Sequence, residues 1–82
     1  QNQGEYKAVI LALKEAKNRK LKEVCILTDS LLVVNQVSGT WMCRKKHLLL
    51  HQNKVRELLF SFDDAGLKWI PREENIAGKV LE

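Results

Sequence analysis

The chain has 82 residues, 45% of them apolar and 29% charged, with four glycines and one proline, a composition that excludes collagen-like repeats and intrinsic disorder and describes one globular unit spanning 1–82. Fourteen Lys and Arg against ten Asp and Glu leave a net charge of +4 and a pI near 9.3, which favours an anionic partner. No apolar run approaches the ~20 residues that cross a bilayer, and the opening residues do not read as a signal peptide, so a soluble, intracellular protein with no membrane role is expected.

From Glu5 to Lys20 the apolar positions Tyr6, Val9, Ile10, Leu13 and Ala16 follow helical spacing and predict an amphipathic helix. Val24-Cys25-Ile26-Leu27-Thr28 is short and rich in β-branched residues, and it is apolar on both alternating faces, as a buried strand of a parallel sheet is. Ser30 is placed to cap a helix carrying Leu31, Val34 and Val37, because its hydroxyl can accept from an unpaired first-turn amide, and Gly39 is placed to stop it.

A loop through Trp41 leads to a longer helix from about His47 to Phe62, with Asp63-Asp64-Ala65-Gly66 as the turn that ends it. Leu67 to Ile70 reads as a second strand with Trp69 in the core, Pro71 closes it, and Asn75 is placed to open a last helix.

The order helix, strand, two helices, strand, helix is an α/β pattern with a crossover between parallel strands. A two-stranded parallel sheet is rarely stable alone. Further strands are therefore expected before Gln1 or from another chain, with self-association or thin stability if they are missing.

The acid-free stretch between Asp29 and Glu57 holds Arg44, Lys45, Lys46, Lys54 and Arg56 with His47 and His51. Trp41 with Arg44-Lys45-Lys46 either contacts phosphates and stacks on a base or is a solvated basic loop with Trp41 tucked into the core. His47 and His51 stand four apart with no third ligand nearby in sequence, which argues against zinc. Cys25 and Cys43 have neither a metal-ligand spacing nor the density of a disulfide scaffold, in keeping with a reducing setting.

Three segments in order, Asn2-Gln3-Gly4-Glu5-Tyr6-Lys7-Ala8, Leu27-Thr28-Asp29-Ser30-Leu31-Leu32-Val33-Val34-Asn35-Gln36-Val37 and Ile70-Pro71-Arg72-Glu73-Glu74-Asn75, resemble a ribonuclease H domain of the plant, bacterial and retroelement branch. The resemblance implies a five-stranded mixed sheet of which this chain is the C-terminal portion, the first three antiparallel strands being absent. It also implies cleavage of RNA in RNA–DNA hybrids by two Mg²⁺ ions held by four carboxylates. Glu5 and Asp29 match two of these catalytic, metal-binding positions. A third would lie on a strand before Gln1, and Lys79 stands where the family has its last Asp.

An ammonium has no lone pair and repels a metal ion, so two-metal hydrolysis by this chain alone is not expected. Lys79 is instead expected beside Asp29 and Glu5 as a substitute cation. Arg72 and Asn75, from the last matching motif, join Trp41, Arg44, Lys45 and Lys46 as expected nucleic-acid contacts.

The resulting expectation is a catalytically degenerate ribonuclease H-like domain, a structural or interaction module within a larger, retroelement-derived protein, with no cofactor unless residual activity brings Mg²⁺. Two alternatives remain open at this point. One is ribonuclease H activity recovered with a missing segment or partner. The other is a nucleic-acid-binding module that uses the basic segment 44–56 to hold an RNA–DNA hybrid or other nucleic acid.

Overall fold

The computed structural model describes residues 2–74 and 80–81. Helix α1 runs Asn2–Asn18, strand β1 Glu23–Thr28, helix α2 Leu31–Ser38, helix α3 Lys46–Phe60 and strand β2 Asp64–Trp69; a single 3₁₀ turn Arg72–Glu74 follows, and Val80–Leu81 form strand β3. The α/β class and the two crossover helices between parallel strands are those expected.

Tyr6, Val9, Ile10, Leu13 and Ala16 of α1 are all buried, so the helical spacing in the sequence is the packed face. The helix ends earlier than expected, because Lys20 turns left-handed at φ 58. The amide of Lys20 donates to the Lys17 carbonyl and that of Leu21 to the Ala16 carbonyl, at 2.9 and 3.2 Å, the paired bonds that close a helix around a left-handed residue. At α2 the Ser30 hydroxyl accepts from the Val33 amide at 3.2 Å, and Gly39 ends the helix with φ 88.

Strands β1 and β2 pair in parallel from Glu23↔Asp64 to Thr28↔Trp69. The second strand thus begins three residues before the expected Leu67, inside the stretch read as a turn. The reason is local: α3 stops at Phe60, and the amides of Asp63 and Asp64 both donate to the Lys22 carbonyl, at 2.9 and 3.3 Å. This draws the chain against the start of β1 at once.

Burial alternates along β1: Val24, Ile26 and Thr28 are buried, while Cys25 and Leu27 are half-buried. One face therefore carries the core, where Val24 and Ile26 meet Leu13, Val33, Leu48, Val55 and Leu58 from the three helices and Phe62 just past α3. The sequence predicts both faces covered. On the other edge of β1, β3 pairs antiparallel at Cys25↔Leu81 and Ile26↔Val80, giving the sheet order β2-β1-β3. The last helix expected from Asn75 falls on residues 75–79, outside those described, and by Val80 the chain is a strand. The unfilled edge of a central strand is a row of unpaired backbone groups that such a segment satisfies.

Trp69 also departs from expectation. It lies at the last register position of β2, 41% exposed instead of in the core, and its indole N–H donates to the Asp29 carbonyl at 3.2 Å. A buried indole would need a partner inside the core; at the strand end it finds one just past the neighbouring strand.

Candidate metal-binding cleft and basic surface

Glu5 sits in the first turn of α1, where a carboxylate is favoured by the helix dipole, and Asp29 follows β1 directly. Both line one small cleft of about 100 Å³ between the first half of α1 and the end of β1, with Ala8, Val9 and Ala12 on one side and Ile26, Leu27 and Thr28 on the other. The two positions are 24 residues apart in sequence and meet because α1 packs along the strand that Asp29 terminates. The carboxyl end of a parallel strand is where α/β proteins gather their ligands.

Asp29 is held from three directions. The Ser30 amide donates to the Thr28 hydroxyl at 3.1 Å, fixing the turn out of β1. Trp69 holds the Asp29 carbonyl, and the Arg72 guanidinium donates through Nε to Oδ2 of Asp29 at 3.0 Å. The Ile70 amide donates to the Thr28 carbonyl at 2.9 Å, which carries the parallel ladder one step past β2 and delivers Pro71 and Arg72 beside the end of β1.

Arg72, expected among the nucleic-acid contacts, is thus the cation found on Asp29. Lys79, expected in that place, lies outside the described residues, as does Asn75. The Arg72 pairing was readable in principle: with Thr28 opposite Trp69, a residue three places on lands near the residue after Thr28. That inference needed the register, which the sequence alone does not show. Among the described residues no three His, Cys, Asp or Glu side chains converge.

The basic segment is an exposed rim. Trp41 is 46% exposed, and Met42, Arg44, Lys45, Lys46 and His47 are all exposed around Cys43, which is buried and anchors the loop. The basic loop is solvated, but Trp41 is not tucked into the core as the second reading has it: the loop is pinned by its cysteine, leaving the indole outside. His51 turns inward, half-buried, its ring stacked on Tyr6 with centroids 6.1 Å apart.

A polar hub that the sequence did not reveal ties α1 to this region. The Tyr6 hydroxyl donates to Oε1 of buried Gln36 at 2.8 Å, and the Gln36 carbonyl accepts from Nε2 of Gln52 at 2.7 Å and from Nη2 of Arg56 at 3.2 Å. Arg56 also donates to the Val37 carbonyl at 3.0 Å, so the open end of α2 is satisfied by α3 side chains. Burial pushes the Tyr6 phenol up to about 12, with Cys43 adding to the rise and Arg56 opposing it. Tyr6 adjoins Glu5, so the hub fixes the turn of α1 from which Glu5 enters the cleft.

Comparison with known proteins agrees with this geometry. A family model described as reverse transcriptase-like matches residues 1–81. Ribonuclease HI of Halobacterium salinarum is 36% identical over 98% of this chain, which spans 40% of that protein, and the bifunctional protein Rv2228c of Mycobacterium tuberculosis is 34% identical over 90% of the chain and 20% of its own length. Among solved structures, RNase H1 of Halobacterium salinarum superposes with a TM-score of 0.88 at 36% identity, covering 90% of this chain and 56% of that one. The RNase H domain of the mycobacterial protein superposes with a TM-score of 0.86 at 34% identity, over 90% and 53%. The chain thus spans about two-fifths of the archaeal enzyme and about half of each solved domain. Motif order, crossover topology and these similarities together place the chain in the reverse transcriptase-like family, as a ribonuclease H-like domain.

Proposed function

We propose that the chain is a catalytically degenerate ribonuclease H-like domain that serves as an interaction module within a larger protein. The observation that carries this reading is the Arg72–Asp29 ion pair: one of the two carboxylates in the cleft already has a cation, supplied by the chain itself. Lys79 in the sequence, where the family resemblance calls for Asp, points the same way. Two carboxylates in one cleft are the donor type that a single Mg²⁺ accepts, since this ion takes one or two of them and fills its octahedron with water. When bound as a pair, such ions activate the attacking water and stabilise the leaving oxygen, and a pair ~3.5 to 4 Å apart needs more carboxylate than Glu5 and Asp29 supply. The residues present fit one divalent ion held weakly.

The test is an RNA–DNA hybrid cleavage assay on the full chain in Mg²⁺ and in Mn²⁺. No metal-dependent cleavage is expected. Specific cleavage removed by Glu5→Gln or Asp29→Asn would refute the degenerate reading and favour recovered ribonuclease H activity.

A second reading, nucleic-acid binding without cleavage, is favoured by the exposed rim. Trp41 offers a stacking surface beside four consecutive basic residues, Arg44 to His47, with no acidic side chain between Asp29 and Glu57. Affinity for a hybrid should fall steeply with salt, and Lys45→Glu with Lys46→Glu should lower the slope of log affinity against log salt by about 2. A salt-independent affinity, or one untouched by the double variant, would remove this reading.

A further inference from the structure

We infer that Arg72 is a positioning residue for the cleft, a tethered counter-ion that occupies Asp29 until a divalent cation displaces it. The inference rests on the reading of the Glu5–Asp29 cleft as a divalent-ion site.

The two partners need each other unequally. The Asp29 side chain is 18% exposed and that of Arg72 83%. A largely desolvated carboxylate loses its water and must be compensated, whereas an exposed guanidinium loses little hydration in pairing and little in leaving. Asp29 therefore holds Arg72, and Arg72 is free to go.

The frame around the pair does not depend on it. The Asp29 carbonyl is held by the Trp69 indole, the Thr28 carbonyl by the Ile70 amide and the Thr28 hydroxyl by the Ser30 amide. Each of these bonds survives when the guanidinium swings out, so the carboxylate keeps its place in the cleft. Pro71 fixes one backbone angle at the root of the swing, and the 3₁₀ turn that carries Arg72 has no buried side chain.

Electrostatics favour the exchange. Glu5 and Asp29 place two negative charges on one small cleft, and among the described residues the Arg72 guanidinium balances one of them. A divalent ion balances both and competes with Arg72 for Oδ2, because a monovalent and a divalent cation a few ångströms apart repel each other. Arg72 therefore competes for the carboxylate and weakens divalent uptake. Once released, its planar fork of donors lies at the rim of the cleft, suited to a phosphate oxygen.

The experiment is Mg²⁺ titration of the full chain by calorimetry, for wild type, Arg72→Gln, Arg72→Lys and Glu5→Gln, with the Arg72 Nε–H resonance followed by NMR in the wild type. Arg72→Gln should bind Mg²⁺ roughly fivefold more tightly, the size expected of a partly exposed ion pair, and Arg72→Lys should return affinity toward wild type. In the wild type, the Arg72 Nε–H resonance should shift with the same midpoint as Mg²⁺ uptake.

Equal or weaker binding by Arg72→Gln, or an Nε–H resonance that ignores Mg²⁺, would overturn the inference while Mg²⁺ uptake sensitive to Glu5→Gln left the cleft reading intact. Absence of Mg²⁺ uptake by wild type and Arg72→Gln alike would overturn the cleft reading itself, and this inference with it. The NMR measurement on the wild type decides the matter even if a variant fails to fold.

Discussion

Tyr6→Phe isolates the polar hub, because it removes one oxygen and leaves the ring stacked on His51 and packed in the core. The lost hydroxyl is the 2.8 Å donor to Gln36 Oε1, and Gln36 is buried with its amide nitrogen facing the Met42 carbonyl at 3.5 Å. Leaving a buried acceptor unpaired costs about 1 to 3 kcal/mol, so urea denaturation at pH 7 should show a loss of that size.

The same variant has an alkaline signature. In wild type the folded phenol titrates near 12, while an unfolded tyrosine titrates near 10. Below pH ~10 both states keep the proton and stability is complete. Between ~10 and ~12 only the unfolded state ionises, so stability falls as pH rises, by about 2 to 3 kcal/mol once the folded pKa is reached. Tyr6→Phe lacks that proton, and the gap between the two proteins should close across this window. Parallel curves for wild type and variant from pH 9 to 12 would refute the assignment of a buried, proton-donating phenol. Adding Gln36→Leu to Tyr6→Phe should cost less than the sum of the single losses, since an unpaired pair is replaced by an apolar one.

Two helix ends make opposite predictions: Gly39→Ala, at φ 88, should destabilise by about 1 kcal/mol, whereas Lys20→Gly, at φ 58, should stabilise by a similar amount, because only glycine adopts the left-handed region without cost. Thermal denaturation of the pair reads both signs, and a loss for each would refute the conformational argument. Neighbouring aromatics should also diverge. Phe60, 92% exposed, should tolerate Ser within about 0.5 kcal/mol, while Phe62→Ala, which empties a core site and removes the ring under the Lys17 ammonium at 5.4 Å, should cost about 3 kcal/mol or more. Equal denaturation midpoints for these two variants would contradict the burial assigned to them.

Features written in short-range pattern were legible in the sequence. The packed face of α1, the Ser30 and Gly39 caps, the strand at Val24 to Thr28 and the crossover order follow from periodicity, capping chemistry and β-branched composition, all of which act over a few residues. Glu5 and Asp29 were legible only through resemblance, because a carboxylate at a helix start or a strand end is ordinary in its local setting. Register and edge occupancy decided the rest. Trp69 fell outside the core, and Asp63 and Asp64 became the start of β2, because of where the second strand met the first. Arg72 became Asp29's partner because Thr28 lies opposite Trp69, a fact about two segments 41 residues apart. The Tyr6–Gln36–Gln52–Arg56 hub likewise joins three helices by single hydrogen bonds, which leave no periodic trace in a sequence and exist only once the helices have packed.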